Sequence, residues 1–537
     1  MSPPAKRLRR SRVACEPCRI RKRRCDGQQP CETCTQFAYD CFYDVNTRKK
    51  RNKGPITRSP ALPTPVAKPR SSPEERTRSE PPAPVCTPAS QDTAPMESNS
   101  GAAFVRRLGL TLDPANAPEP QIFAWNIGTR PLPGTYPALP PTETISQAEM
   151  QRLSQIFFDK VSTVYGFLDR ETCNNAIQTR WHRPPTLEPY DTVLCGIAAI
   201  GYLFSERKPV AAELHLVETA RTALEHNSMS MAGVPSPTLI FGWTLRLMYL
   251  RLAGTPHPAW MVSCNLLHMI DAGGFHLDPK GDAPALVRPP PNIDPDIRRR
   301  LVAYVQYVNT WISYDLGRSR VQLYGAPYTS PSPTDPGDYT AEMLDLLPLS
   351  EILAPHKPAD PEQLATLLTK VLDSERTQAP YILSQCNLAL CIFRRLRVLC
   401  GSKATNSDND IAPRILTLCT KALASARDLL NSLSPWSHVA NVPFQIVYTM
   451  LVIDTPDSTT ILADAMQTLR LVVELYDTES LHDAYCAAGR LVYLQQRAKE
   501  KEVRRLKEII EGHLPNRSTT KTTNDTTMPS STESKKE

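Results

Sequence analysis

The chain lacks a membrane-crossing run. No stretch approaches the roughly 18 consecutive apolar residues that a spanning helix needs. The nearest, residues 193–204, has the length of a buried core helix. No membrane partner is therefore expected. The start, Met1-Ser2-Pro3-Pro4-Ala5-Lys6-Arg7, has no apolar segment of the kind that directs secretion. There is no G-x-x-x-x-G-K-[ST], no G-x-S-x-G and no H-E-x-x-H, and nothing else in the chain supports catalysis. The chain is read as not an enzyme. Alternation of apolar and polar residues at strand spacing is nearly absent, which disfavours a sheet. Between residues 44 and 100 no heptad is sustained, and the prolines there forbid a long coiled coil.

What is present stands out against these absences. Six cysteines fall within the first fifty residues: Cys15, Cys18, Cys25, Cys31, Cys34 and Cys41. Their spacing, C-x2-C-x6-C-x5-C-x2-C-x6-C, repeats one unit twice. A tetrahedral zinc site takes four ligands. Six thiolates cannot fill two separate sites, but they suffice if two sulfurs are shared between two metals. Soft thiolates favour zinc over hard cations. A segment of this size with few large apolar side chains cannot build a core, so metal binding must supply its folding free energy. A disulfide framework is the alternative for a small secreted protein. Between Cys18 and Cys25 runs Arg19-Ile20-Arg21-Lys22-Arg23-Arg24, a cationic stretch suited to a polyanion.

These residues, with Cys25-Asp26-Gly27 and Pro30 between the halves, resemble the fungal Zn2Cys6 binuclear cluster, the DNA-binding domain of a large family of fungal transcription factors. The resemblance covers roughly residues 12–44. It implies two Zn2+ ions as cofactors, with Cys15 and Cys31 as the bridging ligands. One zinc would hold Cys15, Cys18, Cys25 and Cys31, and the other Cys31, Cys34, Cys41 and Cys15. It further implies that a short helix after Cys18 enters the major groove of double-stranded DNA. Arg21 and Lys22 would then reach base edges, commonly of a CGG-type triplet. Both suit guanine, whose O6 and N7 are acceptors. Arg19, Arg23 and Arg24 are expected on phosphates, which fix register without reading sequence.

Charge is divided to match. Residues 1–53 contain fifteen Lys/Arg and five Asp/Glu, hence +10, and the remainder carries −3, giving the net +7. Basic character belongs to the N-terminal module and not to the bulk. Lys6-Arg7-Leu8-Arg9-Arg10 and Arg48-Lys49-Lys50-Arg51-Asn52-Lys53 flank the cysteines. Each suits nuclear import or a phosphate-gripping arm, so the nucleus is the expected location. The other nine cysteines are scattered through mostly apolar patterns and read as buried reduced thiols.

Five segments follow from composition. Residues 1–53 are the zinc module with its basic flanks. Residues 54–100, with eleven prolines, are expected to be a disordered linker. Residues 101–142 form an apolar arm and a Pro-rich connection. Residues 143–512 read as an all-α domain, and 513–537 as a disordered tail lacking the acidic-hydrophobic mixture of an activation segment. The expected fold is thus a small metal-folded module plus a large all-α domain, joined by a disordered Pro-rich linker. Within the large domain, Ser146-Gln147-Ala148-Glu149 predicts a capping box, Asp191 a cap for the apolar helix to Phe204, and Ser236-Pro237, Asp294-Pro295 and Asp360-Pro361 further helix starts. Gly273-Gly274 and Gly317 predict stops.

Residues 150–455 resemble the fungal-specific transcription factor domain, or middle homology region, through Ala259-Trp260-Met261, Gly273-Gly274-Phe275-His276, Arg299-Arg300, Trp311 and Leu316-Gly317-Arg318. That resemblance implies a regulatory body, with the transcription machinery or co-regulators as partners. A homodimer, if one forms, would use the helical domain. The last helix, with Leu491, Leu494, Ala498, Val503, Leu506 and Ile510, is expected to pack on the body surface, with a docking or dimerising helix as the alternative. Cys264 and His268, four apart on one predicted helix, have a spacing that could share a metal, but no partner pair is evident. Two rivals to sequence-specific DNA reading are a zinc-folded protein-interaction module and a ligand-sensing regulator.

Overall fold

The computed structural model describes residues 14–15, 18, 25–36, 41, 100–119, 125–127, 130, 137–229, 233–277, 293–326, 328–334, 336–353, 360–400 and 408–513. Arg19, Arg21, Lys22, Arg23 and Arg24, both basic flanking runs, the Pro-rich stretch up to residue 99 and the tail from residue 514 lie outside the described residues. The chain divides into two compact units, residues 1–80 and 81–537.

Among the described residues of the first unit, a short helix, α1 (Glu32–Gln36), contributes Cys34 to the cysteine group. The described residues of the second unit are mostly helical, with no strand among them. Its helices are α2 (Gly101–Leu112), α3 (Pro141–Thr144), α4 (Gln147–Phe157), α5 (Arg170–Arg180), α6 (Asp191–Leu203), α7 (Ala211–Met229), α8 (Pro237–Ala253), α9 (Pro256–Ala272), α10 (Pro295–Leu316), α11 (Thr340–Leu344), α12 (Leu346–Ser350), α13 (Pro361–Asp373), α14 (Ala379–Cys400), α15 (Asp408–Asn431), α16 (His438–Ile453), α17 (Pro456–Tyr476) and α18 (Glu479–His513). None is long and apolar enough to cross a membrane.

Local chemistry sets many of the boundaries. Ser236 Oγ accepts the Leu239 N–H at 3.3 Å, and Pro237 opens α8. Asp294 accepts the Asp296 and Ile297 N–H groups at 2.8 and 3.2 Å to open α10, which ends at Gly317 with φ of 61°. That left-handed value is one glycine reaches without steric cost. Ser146 Oγ accepts from Glu149 at 3.2 Å, but only half of a capping box forms. The Glu149 carboxylate turns instead to Arg152, at 2.7 and 2.9 Å.

Other expectations need correction, among them that Val503, Leu506 and Ile510 of the last helix pack on the body, since all three are exposed. Asp191 does not cap α6; Tyr190 occupies that position without a side-chain bond. The Asp191 carboxylate lies inside the first turn and receives Arg180 at 2.7 and 3.0 Å and the Glu188 N–H at 2.9 Å. A buried guanidinium from α5 outcompetes the local amides, because an unpaired buried charge costs far more than an uncapped turn. Met150, Leu153, Phe157, Val161 and Val164 fall at helical spacing in the sequence, but the one helix they predict is interrupted. After α4 a π turn, Phe158–Ser162, adds one residue to the ladder. It lets the adjacent Phe157 and Phe158 both bury, edge to face at 5.3 Å.

The core sits around α6, α8, α14 and α16. All thirteen residues of α6 are buried. α6 and α8 press together where glycine replaces a side chain: a Cβ on Gly196 would meet Leu245 at 2.7 Å, and one on Gly242 would meet Thr192 at 2.7 Å. The arm packs on this body. The Phe104 ring of α2 lies tilted against Tyr448, centroids 5.5 Å apart, and Trp125 Nε1 donates to the Gly254 carbonyl at 3.2 Å. The last helix behaves as two halves. Leu481, Ala484, Ala487, Ala488, Leu491 and Leu494 are buried, whereas every residue from 499 to 513 is exposed.

Candidate metal centre and nucleic-acid interface

The first unit is built on sulfur. Cys15, Cys18, Cys31 and Cys34 are buried, and Cys25 and Cys41 are half-buried against them. Two tetrads emerge, Cys15, Cys18, Cys25 and Cys31, and Cys15, Cys31, Cys34 and Cys41, each with sulfurs within 4.8 Å of one another. Cys15 and Cys31 belong to both. Close sulfur pairs stand 3.6 to 3.9 Å apart. Four sulfurs at about 2.3 Å from a tetrahedral zinc stand about 3.8 Å from one another, so the spacing suits shared zinc and is far too long for disulfides.

The sequence repeat reappears as a repeat of hydrogen bonds. The Cys15 N–H donates to the Cys25 sulfur at 3.5 Å, and the Cys31 N–H to the Cys41 sulfur at 3.2 Å. Each half thus closes the same ten-residue loop. The Cys34 N–H donates to the Cys31 sulfur at 3.3 Å. Asp26 organises the connection: one carboxylate oxygen accepts the Gln28 N–H at 3.0 Å, the other the Glu32 N–H at 2.9 Å where α1 begins. Those amides hold the Asp26 carboxyl below its ordinary range. Gly27, at φ of 87°, makes the turn between them. The Gln29–Pro30 peptide is cis. Spacing alone signalled the sulfurs. The amide donors and the work of Asp26 had no signal beyond the Cys-Asp-Gly triplet.

Electrostatics explain why the array calls for cations. Burial pushes the Cys15 and Cys18 thiols up, and pushes Cys34 up to about 12. Burial works against the Cys31 thiolate too, but the Cys34 amide and the neighbouring thiols outweigh it and bring Cys31 down to about 6. Without compensating positive charge most of these thiols stay protonated, so metal entry must release protons. Arg19, Arg21, Lys22, Arg23 and Arg24 fall between the described Cys18 and Cys25 but are not themselves described. Elsewhere in the described residues no group of three or more Cys, His, Asp or Glu side chains gathers closely enough to hold a metal. Cys264 instead accepts from Asn309 Nδ2 at 3.5 Å.

Comparison with known proteins agrees with this geometry. Residues 13–50 match the fungal Zn(2)-Cys(6) binuclear cluster domain, which binds two zinc ions. The chain is 41% identical to protein RDR1 of Gibberella zeae over 94% of this chain and 90% of that one. It is 36% identical to transcription factor kojR of Aspergillus oryzae, over 94% and 87% respectively. Protein RDR1 of Saccharomyces cerevisiae is 29% identical over 93% of this chain and 92% of its own. A cluster shared by two sulfurs, a helical body and relatives matched along nearly their whole length lead to one conclusion: the chain belongs to the fungal Zn2Cys6 transcription factors and is a zinc-binding transcriptional regulator.

Proposed function

We propose that this protein regulates RNA polymerase II transcription in the nucleus by reading CGG-like triplets in the major groove. Cys15 and Cys31 bridge two zinc ions, with Cys18 and Cys25 completing one site and Cys34 and Cys41 the other. The observation that carries this reading is the pair of sulfur tetrads sharing Cys15 and Cys31. Holding Cys18 and Cys25 fixes both ends of the Arg19–Arg24 stretch, so its cations reach DNA from a rigid base. Arg21 and Lys22 face guanine O6 and N7, while Arg19, Arg23 and Arg24 neutralise phosphates. Residues 1–53 are the reading head and 54–100 a tether. Residues 143–512 form the regulatory body that meets the transcription machinery or co-regulators.

Binding-site selection tests the assignment. Lys22→Ala should cost about 1–3 kcal/mol and relax the triplet preference. Arg23→Ala should weaken all sequences alike and lower the salt dependence of binding. If Lys22→Ala leaves both preference and affinity untouched, the base-reading role is wrong.

A second reading, a body that responds to a small molecule, has one observation in its favour. An open cleft of about 320 Å³ lies between α10 and α12, lined among others by Gln306, Thr310, Tyr324, Tyr328 and the Arg320–Glu351 ion pair. That volume falls at the lower end of small-molecule sites, roughly 300–1,000 Å³. Ligand-dependent thermal stabilisation of the full chain, abolished by Arg320→Ala, would support it.

A further inference from the structure

A polar cavity of about 40 Å³ lies inside the body, between α8, α10 and the start of α16. Tyr165, Arg251, Tyr304, Tyr307, Trp311 and His438 line it. Its lining carries donors that the chain leaves without acceptors. The Tyr307 hydroxyl and Trp311 Nε1 are buried and neither completes a hydrogen bond, although Ser384 lies near that hydroxyl. Buried polar groups are nearly always satisfied, so such a pair points to water, an ion or a ligand.

Charge and size together choose among these. The Arg251 guanidinium covers the Trp125 ring at 4.0 Å, and its Nη1 donates to the Trp125 carbonyl at 2.7 Å. Asp315 stands 3.8 Å from Nη2, beyond hydrogen-bond reach. The guanidinium therefore keeps N–H groups for a further acceptor. Burial and the nearby Arg251 push His438 down to about 3, so its ring stays neutral. No carboxylate is among the lining residues. A cationic donor and two neutral ones on one wall suit an oxyanion, and a guanidinium matches a carboxylate best. One water needs about 10–15 Å³ of such space, so the cavity takes about three water-sized groups and no drug-sized molecule. Met248, Leu252 and Val308 supply an apolar wall for a short tail.

We propose that this cavity binds a short-chain monocarboxylate of about two to four carbons, its carboxylate on Arg251, Tyr307 and Trp311 and its tail against Met248, Leu252 and Val308. The site is separate from the cleft at Arg320 and Glu351. Its ligand joins α8 to α10 and, through Arg251, reaches the arm at Trp125.

Ligand-observed NMR of the zinc-loaded full chain with propionate tests this, with propionamide as the uncharged counterpart. Saturable propionate binding is expected, and propionamide should bind at least about tenfold more weakly. Tyr307→Phe removes a hydroxyl that completes no bond, so the melting temperature should hold while propionate affinity falls about tenfold. Arg251→Met should abolish binding. Because Arg251 also holds Trp125, its melting temperature is measured alongside, and Tyr307→Phe decides the matter if Arg251→Met fails to fold. A chain that takes up neither molecule leaves the cavity to water and overturns the proposal. So does equal affinity for the two molecules, or propionate binding indifferent to Tyr307→Phe. Loss of propionate binding in Arg320→Ala would put the anion in the other cleft and overturn it as well.

Discussion

The two compact units are held by different physics. In the first, the fully buried side chains among the described residues are cysteines, Cys15, Cys18, Cys31 and Cys34, and amide bonds from Cys15 and Cys31 end on sulfur. In the second, a wide apolar core spans α2 to α18, and some buried charges are paired, as Arg180 with Asp191 and Arg130 with Glu213, while others such as Arg394 rest on neutral partners. The difference teaches where each unit is vulnerable. The head answers to metal, protons and oxidation, whereas the body answers to packing and to the integrity of its buried pairs.

The largest expected effect follows from that contrast. Structural zinc contributes about 10–16 kcal/mol in small metal-folded domains. Chelation should unfold the head and abolish DNA binding while leaving the helical circular-dichroism signal and its melting temperature unchanged. A body that melts together with zinc loss would break the comparison. Because the buried thiols must give up protons, zinc affinity should also fall as pH drops.

The next effect belongs to the body alone. Asp191→Ala leaves Arg180 buried without its carboxylate, which should cost about 3–5 kcal/mol of stability by chemical denaturation. Zinc content should remain at two ions per chain by mass spectrometry. Loss of metal in this variant would couple units that the physics treats as separate.

A smaller effect sharpens the account of buried charge. Burial raises Asp315 to about 6, although Arg251 stands 3.8 Å away and pulls the other way. The folded state then holds a proton that the unfolded state releases between about pH 4 and 6. The Asp315 contribution is therefore present below about pH 4 and lost as pH rises through 6, by up to about 3 kcal/mol. His438, which burial pushes down to about 3, tilts the parent's curve in the opposite direction. The readout is accordingly the difference in urea midpoint between Asp315→Asn and the parent across this range. A difference flat with pH would mean that Asp315 titrates as it does in water.

Much of this was legible in the chain. The cysteine spacing carried the cluster, because metal ligation needs particular atoms at particular intervals. Helix starts at Ser236-Pro237, Asp294-Pro295 and Asp360-Pro361 were legible because a cap bonds an amide two or three residues away. α5 was not legible: only Cys173, Ile177 and Arg180 of its eleven residues are buried, so it shows no broad apolar stripe.

The sequence by itself determined the sulfur array, the uneven charge and the helical character of the body, since each depends on residue type and short-range spacing. Only the tertiary structure decided that Asp191 would pair and not cap, that a π turn would bury Phe157 beside Phe158, and that the last helix would run past its support. Those outcomes turn on which groups meet after the chain has folded back on itself. Trp125 and Gly254, bonded across 129 residues, are such a meeting. No local pattern contains the desolvation and packing energies that choose it.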